Sequence, residues 1–177
     1  MSHQRQVLQQ AGTVEENAVR FDAEKAEQVV QALNLDLAAS VVLHHQLRKH
    51  RWTVVGPQSR DLGRFLGEAA AEADRHADAL ARRIREIGGV PLSSPATFER
   101  HSPVPFEGED LYDLRTSLHN DLDAYGDSIE RVSSHVELAE SLGDHATGHL
   151  LRDHLADLER RASAIDGLLA RESLTDW

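Results

Sequence analysis

The stretch Gly88-Gly89-Val90-Pro91-Leu92-Ser93-Ser94-Pro95-Ala96-Thr97-Phe98-Glu99-Arg100-His101-Ser102-Pro103-Val104-Pro105-Phe106-Glu107-Gly108 decides the fold, because it is the long connection between helical segments in this chain. The paired glycines are a helix stop, since glycine accepts the left-handed conformation that closes a last turn, and Pro91 keeps the helix from resuming. Some 20 residues rich in Ser and Pro follow, against roughly 2–8 in the usual connection between bundle helices. Within them, Pro95-Ala96-Thr97-Phe98-Glu99 has the makings of a short helix.

Outward from this connection, each flank carries an apolar stripe at helical spacing. The segment before it starts near Asp61 and places Leu62, Leu66, Ala69, Ala73, Leu80, Ile84 and Ile87 on one face. The segment after it repeats the spacing at Leu114, Leu118, Leu122, Tyr125, Ile129, Val132 and Val136, and Gly143 ends it. Further out, Asp22 caps a segment that runs to about Trp52 with Val30, Leu33, Leu37 and Val41 on its stripe. Asp144 caps the last segment, which buries Leu151, Leu155, Leu158, Ala162, Ile165 and Leu169. Four rods of roughly 25–30 residues, about 40 Å each, satisfy one stripe apiece in a four-helix bundle. The first and last connections are short and imply antiparallel neighbours; the central one is the crossover. The expected architecture is therefore all-α, a four-helix bundle domain over 22–177, with residues 1–21 as a flexible tail that lacks a stripe.

Composition narrows the function. Hydrophobic residues make up 40% and charged residues 28% of 177, the balance of a folded domain. No apolar run approaches the ~20 residues that cross a bilayer, and Met1-Ser2-His3-Gln4-Arg5 is polar where a signal peptide is apolar, so a cytoplasmic location is expected. The absence of cysteine excludes disulfides, thiol nucleophiles and thiolate-held metals; any metal must be held by His, Asp or Glu, and there are 11 histidines. A net charge of -11 opposes attraction to phosphate backbones.

Three stretches carry a family resemblance. The first is His45-Gln46-Leu47-Arg48-Lys49-His50-Arg51-Trp52-Thr53-Val54-Val55-Gly56-Pro57, and the second is Ile84-Arg85-Glu86-Ile87-Gly88-Gly89-Val90-Pro91. The third is Glu137-Leu138-Ala139-Glu140-Ser141-Leu142-Gly143-Asp144-His145-Ala146-Thr147-Gly148-His149-Leu150-Leu151-Arg152. Together they resemble the Dps family of miniferritins over about 22–175. The resemblance implies a ferritin-like four-helix bundle whose B–C crossover carries a short helix. It also implies a hollow shell of twelve subunits, in which ferrous iron is oxidised by peroxide at sites shared between two subunits and stored as ferric mineral. Some members also bind DNA through basic tails.

Carried over on Trp52 and Gly56, the family's ferroxidase ligands fall on Arg51, Gly63, Gly67, Asp78 and Arg82, so Asp78 alone keeps a metal-binding group. Glu68 stands beside Gly67. Arginine stays protonated and has no lone pair for a metal, so Arg51 and Arg82 would repel ferrous iron. Asp78 is expected to pair with Arg82 four residues on in its helix, or with Arg51 across a subunit interface. Whether the chain is an enzyme stays open on these grounds.

Other groups remain candidates for iron, or for zinc. His145 and His149 share a face at the start of the last helix, near the pores of the family's shells, and Asp74 and Asp78 share a face that would line the shell's cavity. His76 and His45 lie on or near apolar stripes, where imidazoles more often satisfy a structural partner than a metal. Trp52 borders the altered site and offers packing area or an electron. The readings are an iron-storing, stress-protecting homomeric shell; a catalytically silent subunit co-assembling with an active homologue, or a shell with a non-iron role; and DNA compaction. The last is disfavoured because Arg5 and Arg20 in the tail are cancelled by Glu15 and Glu16.

Overall fold

The computed structural model describes residues 6–170. Arg5, counted in the tail's charge balance, lies outside them. Five helices follow in order: α1 (Ala23–Thr53), α2 (Ser59–Glu86), α3 (Pro95–His101), α4 (Leu114–Ser141) and α5 (His145–Leu169). The four long ones form the bundle and α3 is the short helix within the crossover, packed on α1. Among the described residues no helix is long and apolar enough to cross a membrane.

Local chemistry fixes the boundaries. Asp22 accepts the Lys25 backbone N–H at 3.1 Å, and Asp113 and Asp144 do the same for Thr116 and Thr147 at 2.9 and 3.0 Å, so three of the long helices start on an aspartate cap. Helix α3 starts on a capping box between Ser94 and Thr97 with Pro95 in its first turn. At the end of α2, Gly88 has φ +87°, and a Cβ there would lie 2.1 Å from the Glu15 carbonyl oxygen. A Cβ on Gly89 would lie 2.6 Å from Val30 Cγ2. The glycine pair therefore lets the end of α2 close against both α1 and the segment before it. That segment lacks a helix, but its Glu15 N–H and Gln9 side chain both donate to the Gly88 carbonyl, at 3.0 and 2.8 Å.

The stripes meet in one core that includes Leu33, Leu37, Leu66, Leu80, Ile84, Leu118, Tyr125, Leu151 and Ile165. Helix α1 is buried over more than a stripe, because it touches α2, α3 and α4. The crossover is tied down at both ends. Asn34 on α1 accepts the Leu92 N–H at 2.8 Å, and Val104 is inserted into the core with 1% exposure.

Candidate functional site

The last turn of α1 and the first half of α2 bring together three of the five positions singled out in the sequence. A Cβ built on Gly67 would lie 3.0 Å from Arg51 Cζ and Nη1, so the guanidinium occupies the space that a side chain at 67 would take. Gly63, one turn earlier, faces Val54 at 3.9 Å. Arg51 itself is exposed, and so is Trp52, with Arg48 stacked 4.9 Å from its ring centre. Asp78 and Arg82 are joined by a short ion pair within α2, both on the surface. This is the intrahelical alternative of the two expected from the sequence. Positions 67 and 78 are about 16 Å apart along a helix. Within one chain, therefore, the Arg51–Gly67 contact and the Asp78–Arg82 pair are separate features.

Comparison with known proteins establishes the family. The ferritin-like domain family matches residues 30–174. The DNA protection during starvation protein of Halobacterium salinarum is 52% identical over 175 residues, covering 98% of this chain and 96% of its own. The chain belongs to the Dps family of miniferritins. The crystal structure of an archaeal Dps homologue from the same organism superposes with a TM-score of 0.93 at 51% identity, covering 99% of this chain and 98% of that one. A nutrient stress-induced DNA-binding protein of Nostoc is 31% identical over 175 residues, 99% of this chain and 95% of its own. DpsC from Streptomyces coelicolor shares the fold, with a TM-score of 0.92 at 24% identity over 97% of this chain and all of that one.

The remaining sequence candidates are dispersed over this Dps bundle. His145 and His149 are exposed on the first turns of α5, and the nearest carboxylate, Asp153, is 3.7 Å from His149. Asp74 and Asp78 are exposed on α2. Among the described residues no three His, Asp or Glu side chains are gathered in a metal-binding arrangement. His45, expected near the stripe of α1, is exposed on the solvent side; the buried polar residues of that helix end are Gln46 and His50.

His50 is the functional-type residue that sequence reasoning missed. Its Nδ1 lies 2.9 Å from both oxygens of the fully buried Asp121, and its Nε2 lies 2.9 Å from Glu107 of the crossover. Gln46 donates to Asp121 at 2.9 Å, and Asn120 and Lys49 donate to Glu107. Burial pulls the His50 pKa down, but the bonds to Asp121 and Glu107 outweigh it and hold the imidazole above its usual value. Burial likewise raises Glu107, and its three partners bring it below the ordinary range. The network clamps α1, α4 and the crossover together next to Arg51. Each of the four carboxylate oxygens has at least one protein partner, which makes the network a structural brace.

Three further imidazoles lie across the bundle, His135 and His154 buried and His76 half-buried. His135 on α4 meets Asp36 on α1 at 2.8 Å. His76 on α2 meets Asp157 on α5 at 2.9 Å, and its ring centre is 3.8 Å from that of His154. Beside them Glu72 is held by Arg161 at 3.0 Å and Arg160 at 3.2 Å.

Proposed function

We propose that this chain is the subunit of a Dps-type shell, a dodecamer by kinship, which sequesters iron and protects against oxidative stress while lacking rapid oxidation at the inter-subunit site. The observation that carries this reading is the Arg51 guanidinium resting on Gly67. A ferrous ion needs several oxygen and imidazole donors with free lone pairs. Here one position offers a permanently charged donor-only group, two offer no side chain, and the one carboxylate is engaged by Arg82. The fixed charges at 51 and 82 replace the positive charge that iron would bring.

Iron in this account is cargo. Protection follows from removing iron from solution rather than from covering DNA, since the chain's net charge of -11 opposes contact with phosphate. The names of the relatives, one for DNA protection and one for DNA binding, fit this indirect route in the first sense and not the second.

Aerobic loading with ferrous salt and peroxide tests the proposal. The natural chain is expected to oxidise iron at no more than the protein-free rate over the first seconds, yet to carry ferric mineral on an assembly of twelve subunits in native mass measurement. The quadruple variant R51H/G63H/G67D/R82E is expected to gain fast oxidation. Rapid peroxide-driven oxidation by the natural chain would sink the reading, as would a failure to retain iron after prolonged loading. Native mass of material from the source organism separates a homomeric shell from one mixed with an active homologue.

A further inference from the structure

The middle of the bundle buries an imidazole for which the proposed iron chemistry has no use. His154 on α5 is 5% exposed, and its Nδ1 has no hydrogen-bond partner; among the described residues it is the one buried side-chain atom in that condition. It lines a pocket to which all four long helices contribute, with about 10 Å³ of free space, room for no more than one water-sized atom. Its ring also lies against that of His76 on α2, with centres 3.8 Å apart and planes inclined by 44°. Such a place suits a neutral ring. A proton on Nδ1 would bring a charge into a space too small for the waters that would solvate it.

The carboxylates that face this ring are already engaged. From α1, Asp36 is met by His135 of α4 at 2.8 Å. From α2, Glu72 is held by Arg160 and Arg161 of α5 at 3.2 and 3.0 Å, with Arg75 at 3.9 Å. From α5 itself, Asp157 is shared between His76 at 2.9 Å and Arg160 at 2.7 Å. Helix α4 adds the cationic Arg131 and the neutral Tyr125 phenol to the lining. Burial, and next the His76 ring, therefore push the His154 pKa down to about 3, with Asp157 pulling the other way by less.

We propose that His154 is an acid-sensitive latch on the seam between α2 and α5: the helices close over the neutral ring, and one proton on it parts them. Helix α5 packs along α4 and meets α2 more sparsely. The side chains of His76 and Asp157 at the seam are 14% and 31% exposed, so this is where the ring reaches water with least disruption. In an open seam the solvated ring takes a proton at about pH 6.5, whereas in the closed seam it does so only near pH 3. Above about pH 6.5 neither form binds the proton and the closed seam keeps its full advantage. Below that value each unit of pH favours the open seam by up to about tenfold, until the closed-seam pKa is reached. The His50 brace responds in the opposite sense, because its pKa is raised, so it keeps α1, α4 and the crossover together while the latch releases. The latch is independent of the Arg51 and Asp78 positions and stands whether or not the shell stores iron.

Native-state hydrogen exchange of the assembled shell, followed by mass spectrometry from about pH 7.5 to about pH 5 and corrected for the intrinsic exchange rate, tests the latch. The opening constant of amides in 72–80 of α2 and 150–158 of α5 should rise about thirtyfold over that range, while α1 and α4 keep their protection. In H154F, which keeps a ring but has no proton to take, the rise should vanish; H149A, which removes an exposed histidine of the same helix, should retain it. The same rise in folded H154F, or a loosening of all four long helices together in the natural chain, would overturn the proposal. If H154F fails to assemble, exchange of the imidazole C2 hydrogen in the natural chain decides. A His154 that titrates well below about pH 6.5, with loosening confined to the seam, supports the latch, and an ordinary histidine titration refutes it.

Discussion

A single residue pair carries the functional argument: the guanidinium of Arg51 lies where a side chain at Gly67 would be. The G67A variant should be tolerated, because the atoms it meets are the far end of a flexible side chain that can swing away. Gly89 is the opposite case, since its Cβ would meet Val30 and Ile84 within the core at 2.6 and 2.9 Å. Overpacking of this kind costs about 1–3 kcal/mol, so G89A should lower the denaturation midpoint measurably while G67A leaves it unchanged. His50 makes a pH prediction. Its pKa is raised in the folded state, so the folded chain holds a proton that the unfolded chain has lost, from about pH 6.5 upward. The stability this contributes is complete below that value and is lost as pH rises through the folded pKa. Chemical denaturation across pH 6–9 should show that decline in the natural chain and a flatter profile in H50Q; an unchanged slope in H50Q would contradict the brace described here.

Among the elements, the ends of α2 and α5 depend on one another. Asp144 caps α5 and also receives Arg83 of α2 at 2.8 Å, while Arg83 donates to Thr147 at the same distance. An exposed cap such as Asp22 is worth about 1 kcal/mol. Truncating the buried Asp144 also strands the Arg83 charge, so D144A should cost clearly more than D22A, as thermal or denaturant unfolding would register. Much at this scale was legible beforehand. The apolar stripes, the aspartate caps at Asp22 and Asp144, the double-glycine stop and the short helix after Pro95 are all local signals, with partners within a turn or two of each other, whereas the cap at Asp113 was not read. The braces were not legible. His50 pairs with Asp121 and Glu107, 71 and 57 residues away, and His135 pairs with Asp36 from 99 away, so no spacing marks them. The misplaced His45 follows from the same limit: at the end of a helix touching three others, stripe position does not say which of several consecutive polar residues turns inward.

For the whole molecule, kinship and geometry support different parts of the account. The ferritin-like match over 30–174 and the 52% identity to the Halobacterium protein establish the family and its bundle. The proposed loss of fast oxidation rests instead on the five positions carried over from the family resemblance, which hold two arginines, two glycines and one aspartate here. In the proposed shell, the Arg51–Gly67 contact and the Asp78–Arg82 pair, about 16 Å apart in one chain, would face each other across a subunit interface. Assembly should therefore respond to charge at these positions: R51E should weaken the dimer contact, seen as a shift toward smaller species in native mass measurement, whereas R51K should leave the shell intact.

The most direct measurement of the central claim is iron-edge anomalous scattering from crystals of the natural shell soaked in ferrous salt under anaerobic conditions. The account predicts no iron peak between Arg51 of one subunit and the Asp78–Arg82 pair of its neighbour. An ordered iron atom bound there to Asp78 would contradict it.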